Sequence, residues 1–158
     1  SNQLAHEVYK QGIDRLSELP EGMLSPEARR LLVVLCCNAA QALLRSGMQG
    51  AVSDGARELA DRALLLDPTN IKALYRRSLA HTNAGDLNLA RDDLDKLLRL
   101  DPGNEAARGQ LRRLRAMQRG DGPAPPRAVQ RQSISMATCQ QGNADTQPVG
   151  EIARNGNS

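Results

Sequence analysis

Phenylalanine and tryptophan are missing from this chain of 158 residues, and tyrosine occurs only twice. Any core must therefore be built from Leu, Ala, Val and Met, a set that suits closely packed helices. β-Branched residues are sparse while the helix formers Leu, Ala and Arg abound, so an all-α fold is expected and a sandwich or barrel is disfavoured. The want of aromatics also removes the platforms on which bases stack, and no nucleic-acid partner is expected. A membrane-spanning run is missing too. The longest apolar-leaning stretch, LLVVLCCNAAQALL at 31–44, has 14 residues and holds Asn38 and Gln41, too short and too polar to cross a bilayer. It reads as a buried helix, and no membrane partner is expected. A strong excess of charge is likewise absent: 21 basic residues face 18 acidic ones, for a net charge of +3. That basicity is too shallow to mark a polyanion binder.

Cysteine is scarce. Cys36, Cys37 and Cys139 make no CxxC spacing, and no histidine cluster completes a metal site, so no metal and no cofactor are expected. They read as small core hydrophobes of a reducing, cytoplasmic setting. The chain starts at Ser1 without an initiator Met; it reads as a fragment whose targeting information lies upstream. Catalytic pairings are also missing. His6 and His81 fall on helical segments without a Ser or Cys partner, and no phosphate-cradling glycine loop occurs. The expectation is a chain that is not itself an enzyme. Asp92, Asp93 and Asp95 read as an acidic, solvated helix face.

What the chain does have is a repeat. RALLLDPTNIKAL at 62–74 aligns with KLLRLDPGNEAAR at 96–108: Leu66, Asp67, Pro68 and Asn70 stand over Leu100, Asp101, Pro102 and Asn104, each pair 34 residues apart. The same offset sets Ala56 over Ala90, Ala60 over Leu94 and Ala63 over Leu97, small or aliphatic residues on one helix face. A 34-residue unit of two helices is the tetratricopeptide period.

Across residues 1–118 the sequence resembles the tetratricopeptide family. The resemblance implies a helical-hairpin solenoid of about two and a half repeats with a cap helix. The expected divisions are a partial repeat at 1–19, a repeat with an insertion at 26–70, a repeat at 71–104, a cap helix at 105–118 and a disordered tail at 119–158. In the third repeat, helices are expected over Ile71 to about Asn83 and over Leu87–Leu100, with Gly85 in the left-handed turn and Asp101-Pro102 as the stop. Ser78 and Ala90 match the family's small contact positions. In the second repeat, the helices expected are Pro26 to Arg45 and Ala56 to Leu66, with SGMQGAVSDG as a long loop and Ser53 or Asp54 as the cap. LAHEVYKQGIDRLSEL at 4–19 reads as a second helix alone. Its partner would precede Ser1, and an open apolar face is expected on it. In the cap helix Ala107, Leu111 and Leu114 are expected inward and Arg108, Arg112, Arg113 and Arg115 outward. Past Arg119 the composition turns to Gly, Pro, Gln, Ser and Asn without periodicity, and Ser133 in RQSIS is a candidate kinase site.

The family's first helices line a concave groove. The groove positions implied here are Lys72, Tyr75, Arg76 and Leu79 in the third repeat, and Val34, Cys37, Asn38 and Gln41 in the second. Lys72 and Arg76 are one turn apart and project the same way. Lysine serves as a point charge, arginine as a fork and the Asn38 amide as a two-sided partner, a set suited to carboxylates. This constellation is similar to the carboxylate clamp of tetratricopeptide co-chaperones, which grips the acidic C-terminal Glu-Glu-Val-Asp tail of cytosolic seventy- and ninety-kilodalton heat-shock chaperones. Asn38, Lys72 and Arg76, the last two within KALYRR, match three of the five clamp positions. The other two belong to the first helix of the first repeat, expected upstream of Ser1. Two further readings stay open: a scaffold for an unrelated partner, using Tyr75, Leu79 and Val34 as an apolar groove, and the adaptor region of a larger immunophilin-like prolyl isomerase. His81 is expected to pack against the paired helix, and Arg77 to lay its stem over the repeat interface.

Overall fold

The computed structural model describes residues 2–47 and 51–123. Six α-helices succeed one another: α1 (Asn2–Ser17), α2 (Pro26–Arg45), α3 (Ala51–Leu66), α4 (Ile71–Ala84), α5 (Leu87–Leu100) and α6 (Glu105–Arg119), with a 3₁₀ turn at Glu21–Met23 before α2. Each helix packs on the next, and α2 also touches α4. That nearest-neighbour pattern is a helical solenoid, and the fold is all-α as the composition required.

The repeated Asp-Pro-x-Asn motif works as a mechanical joint. Asn70 Oδ1 accepts from the Ala73 backbone N–H (3.0 Å) and caps α4, while its Nδ2 donates to Asp67 Oδ2 (3.0 Å). Thirty-four residues on, Asn104 caps α6 through Ala107 N–H (3.0 Å) and donates to Asp101 Oδ2 (3.0 Å). The aspartate thus fixes the rotamer of the capping amide. The Asn70 hydrogen bond holds the Asp67 carboxyl below its ordinary pKa. α2 uses Ser25 as its cap, accepting from Ala28 N–H, with Pro26 opening the helix. Two helices end on a left-handed glycine. Gly85 (φ 85°) follows α4 and Gly120 (φ 78°) follows α6, and in each case the next residue reaches back, Asp86 N–H to His81 O and Asp121 N–H to Ala116 O, both at 2.9 Å.

The core is as small-featured as the composition implied. Ala39, Ala40, Ala56, Ala60, Ala63, Ala73, Ala90 and Ala107 are wholly buried, beside Cys36, Leu74, Leu94, Leu97 and Leu114. Alanine at the crossings lets the helix axes approach, and leucine fills the spaces between. Ser78, also wholly buried, satisfies its hydroxyl on Tyr75 O (2.6 Å). α1 buries Ile13 and exposes Leu4 and Val8, at 67% and 59%, so the open apolar face expected there is present.

Three expectations are corrected. α1 begins and ends two residues earlier than its expected span at 4–19. α3 starts at Ala51 rather than Ala56, so Ser53 and Asp54 lie within the helix and do not cap it. The inserted residues from 51 on extend the helix by more than a turn because that turn has something to bury against: Ser53 is 3% exposed, and Gly55 sits so close to Leu43 of α2 that a Cβ would lie 3.3 Å from Leu43 Cδ1. Asp93, read as part of a solvated face, is 5% exposed. Its carboxylate is buried because Arg77 of α4 forks onto it, Nε at 2.8 Å and Nη2 at 2.6 Å. The tail beyond residue 123, with Cys139 and Ser133, lies outside the described residues.

Candidate functional site

α4 presents Lys72, Tyr75, Arg76 and Leu79 along one face because its opposite face, Ala73, Leu74, Ser78, Ala80 and His81, is buried. The capping Asn70 fixes where this face begins, so Lys72 stands in the first turn. α2 runs alongside and supplies Val34, Asn38 and Gln41 from a helix whose other side buries Leu32, Cys36, Ala39 and Ala40.

The two faces enclose a cavity of about 340 Å³ lined by Gln41, Lys72, Tyr75, Arg76 and Leu79, together with Leu44, Arg45, Ile71, Asn104 and Ala106. An adjoining cleft of about 360 Å³ is lined by Val34, Asn38 and Lys72, with Cys37, Asp67 and Asn70. Lys72 is common to both. The eight sequence-derived groove residues therefore fall into two adjoining hollows, five in the first and four in the second, counting Lys72 twice. Asn38 and Gln41 also border a smaller hollow of about 180 Å³ against Asn2, Ala5 and Tyr9 of α1.

The side chain of α2 that meets Arg76 is Gln41, whose Oε1 accepts from Arg76 Nη2. Asn38, expected level with Arg76, lies one turn back, in the Lys72 cleft. The other terminal nitrogen of Arg76, Nη1, is buried without a hydrogen-bond partner among the described residues. The Arg76 guanidinium is half-withdrawn from water and lies against the Cys37 thiol, on which it acts by charge and by contact, and a buried donor left without a good partner costs about 1–3 kcal/mol. Lys72 is exposed at the mouth. Cys37 lines the cleft with its Sγ–H directed to Asn70 Oδ1 at 3.6 Å. Burial pushes that thiol upward in pKa, and the cations Arg76 and Lys72 oppose the shift. The groove floor is thus positively polarised by two side chains that also meet in the thiol's surroundings. Chemically, the arrangement sets two cationic donors beside neutral amides, a set that suits anions.

Beside it, Arg77 points the other way, away from the groove. It pairs with Asp61 of α3 (2.7 Å) as well as Asp93 of α5, and these hydrogen bonds, Asp93 first, hold its proton more firmly than usual. His81 is buried as expected, its Nε2 3.9 Å from Asp93 and its Nδ1 without a partner among the described residues; burial holds its pKa below the ordinary value.

Arg45, Asn104, Ala106, Gln110 and Arg113 were missed as groove residues. A signal for three of them lay in the sequence: adding 34 to Lys72, Arg76 and Leu79 gives Ala106, Gln110 and Arg113. α6 therefore continues the groove wall as well as capping the stack. Leu79 and Arg113 share a further cavity of about 240 Å³ with Thr82, Asn83, Gln110, Met117 and Pro123. Among the described residues no group of three or more His, Cys, Asp or Glu side chains is arranged to hold a metal, and no helix is long and apolar enough to cross a membrane.

Residues 71–104 match the family model described as tetratricopeptide repeat. Over 56 residues, 35% of this chain, the sequence is 46% identical to an FK506-binding protein-like protein of Rattus norvegicus. Over 54 residues, 34% of this chain, it is 48% identical to peptidyl-prolyl cis-trans isomerase FKBP4 of Bos taurus. These stretches cover 16% and 12% of the two relatives, so the chain spans under a fifth of their length. Among solved structures, the first tetratricopeptide domain of Spaghetti (RPAP3), bound to the HSP90 peptide SRMEEVD, superposes with a TM-score of 0.51 at 21% identity, covering 74% of this chain and 92% of that one. The UNC-45 chaperone gives 0.54 at 22% identity, covering 92% of this chain and 16% of that one. At such identities these structures speak for the fold. The chain contains a tetratricopeptide repeat at residues 71–104, set within a tetratricopeptide-type helical solenoid.

Proposed function

We propose that this chain is a co-chaperone adaptor module: its groove binds an extended peptide that ends in acidic residues and a free carboxylate, as the C-terminal tails of cytosolic seventy- and ninety-kilodalton heat-shock chaperones do. The observation that carries the reading is the pair of cations one turn apart in one cavity, Lys72 exposed at its mouth and Arg76 oriented on its wall by Gln41. Asn38 serves peptide amides or carboxylate in the adjoining cleft, and Tyr75, Leu79 and Val34 supply apolar walls. The peptide-bound state of the similar RPAP3 domain supports the choice of ligand. The module comprises residues 1–118, with a partial repeat at 1–19, a repeat at 26–70, a repeat at 71–104 and α6 as cap. It acts in the cytoplasm, where such chaperones reside.

Each charge-assisted contact contributes about 1.5–3 kcal/mol where it is desolvated, and binding weakens as salt rises. The test is fluorescence anisotropy of a labelled peptide ending Glu-Glu-Val-Asp, with free and amidated C-termini, against this chain and its Lys72→Ala/Arg76→Ala variant. Binding that needs both the free carboxylate and the two cations supports the adaptor. Binding indifferent to both favours a scaffold with an unrelated partner.

A second reading concerns the whole protein. The 48% identity to a prolyl isomerase over 54 residues favours this chain as the adaptor region of a larger immunophilin-like enzyme. Sequencing the transcript upstream of Ser1 tests it; an open reading frame with no isomerase-like domain rejects it.

A further inference from the structure

The cavity between α4 and α6 is separate from the hollows that hold Lys72, Arg76 and Asn38, yet shares Leu79 with the first of them. Its floor is built. Gln110, 7% exposed, donates from Nε2 to Thr82 Oγ1 (3.3 Å), and the Thr82 hydroxyl donates to Ser78 O (2.7 Å), so both polar side chains are satisfied below the surface. Leu79 and Met117 give it apolar sides, and Pro123, placed by the left-handed turn at Gly120, closes its end. One charge stands over it. Arg113 is exposed and makes no hydrogen bond or ion pair among the described residues, whereas Arg108 and Arg119 on the same helix are paired with Glu105 and Asp121.

We infer that this cavity is a second acidic-residue subsite: it takes one glutamate side chain of the bound peptide, upstream of the terminal carboxylate, with Arg113 as its counter-charge. The inference rests on the peptide-binding reading above and extends it. Glutamate fits because its methylenes can lie on Leu79 and Met117 while its carboxylate reaches the rim. Position follows from helix geometry. Along α4, Leu79 and Asn83 lie seven and eleven residues beyond Lys72, about 10 to 16 Å at the α-helical rise. An extended peptide covers that in about three to five residues. The chain's own continuation is a poor occupant, because Arg127 and Arg131 follow soon after Pro123 and would meet Arg113 as like charges.

The experiment uses the whole chain and octapeptides ending Glu-Glu-Val-Asp, in which the positions four and five before the last residue are each set to Glu, Ala or Lys. The tetrapeptide Glu-Glu-Val-Asp is the reference. At one of these positions Glu should bind about three- to fivefold more tightly than Lys, the range of an exposed ion pair. In Arg113→Glu that preference should reverse, with the Lys peptide restored, and in Arg115→Glu it should persist. Both arginines are exposed, so the fold is expected to survive either change, checked by circular dichroism. A preference unaltered in Arg113→Glu, or a tetrapeptide that binds as tightly as every octapeptide, overturns the subsite while leaving the groove reading intact. Octapeptide binding that ignores Lys72→Ala/Arg76→Ala overturns the groove reading itself.

Discussion

Arg77 on α4 is held between Asp61 on α3 and Asp93 on α5, at 2.7 and 2.6 Å, so one side chain ties three successive helices. The two arms differ in worth. Asp93 is buried and takes a two-pronged contact, while the Asp61 side chain is 49% exposed. Removing Arg77 strands a buried carboxylate, and Arg77→Ala should cost about 3 kcal/mol of stability. Asp61→Ala should cost under about 1 kcal/mol. Urea denaturation of both variants checks the ratio; equal losses would mean that the Asp93 arm carries no special weight.

The same buried carboxylate has His81 as its neighbour, with Arg77, Asp86 and Asp61 also acting on the imidazole. Burial depresses the folded-state pKa of His81. The unfolded chain therefore binds a proton first as pH falls, and folding stability drops below the unfolded value of about 6.5. His81→Gln should flatten the slope of stability against pH between about 7 and 5. A slope identical to the parent's would show that His81 protonates equally in both states.

Much of this was legible and some was not, for a physical reason. Period, caps and the inward alanines are local or repeat at a fixed offset, so Asn70, Asn104, Gly85 and Ala90 announce themselves. α3 was misjudged because whether an insertion loops out or winds into helix depends on what it can bury against, and the Gly55 approach to Leu43 is a tertiary fact. Asp93 was misjudged likewise: its spacing on α5 is that of a surface residue, and only the position of Arg77 on the preceding helix makes burial tolerable. In the groove, the α4 positions could be counted off from the repeat. The partner of Arg76 could not, because helix crossing decides whether Asn38 or Gln41 arrives there.

The adjacent cysteines should be slow to react. Cys36 and Cys37 are 0% and 3% exposed. Desolvation pushes the Cys36 thiol up to about 11, and Cys37 is raised for the same reason. Thiolate, the reactive form, is thus scarce at neutral pH and shielded besides. In a Cys139→Ser background, a thiol-disulfide reagent at pH 7.5 should label the folded chain at least about a hundredfold more slowly than the denatured chain. Rapid labelling of one thiol per chain would place Cys37 at an accessible groove wall instead.

Two neighbouring arginines offer the sharpest contrast, since Arg76→Met and Arg77→Met are the same chemical change one residue apart. Arg77 has both forks engaged by carboxylates, and its loss leaves a buried charge unpaired. Arg76 has one fork on a neutral amide and one buried nitrogen unmet, so its guanidinium is withdrawn from water without full compensation. Replacing it with a flexible apolar side chain removes that unmet donor and leaves only the Gln41 oxygen to be rehydrated in an open cavity. Arg76→Met should therefore leave stability unchanged or raise it by up to about 1 kcal/mol, while Arg77→Met should lower it by about 3 kcal/mol. Acidic-peptide binding should follow the opposite order, lost in Arg76→Met and kept in Arg77→Met at temperatures where that variant is folded. A charge that costs stability and supports binding marks a functional side chain. If Arg76→Met instead loses more than about 1.5 kcal/mol, the Gln41 contact is structural and the groove cation must be sought in Lys72 alone.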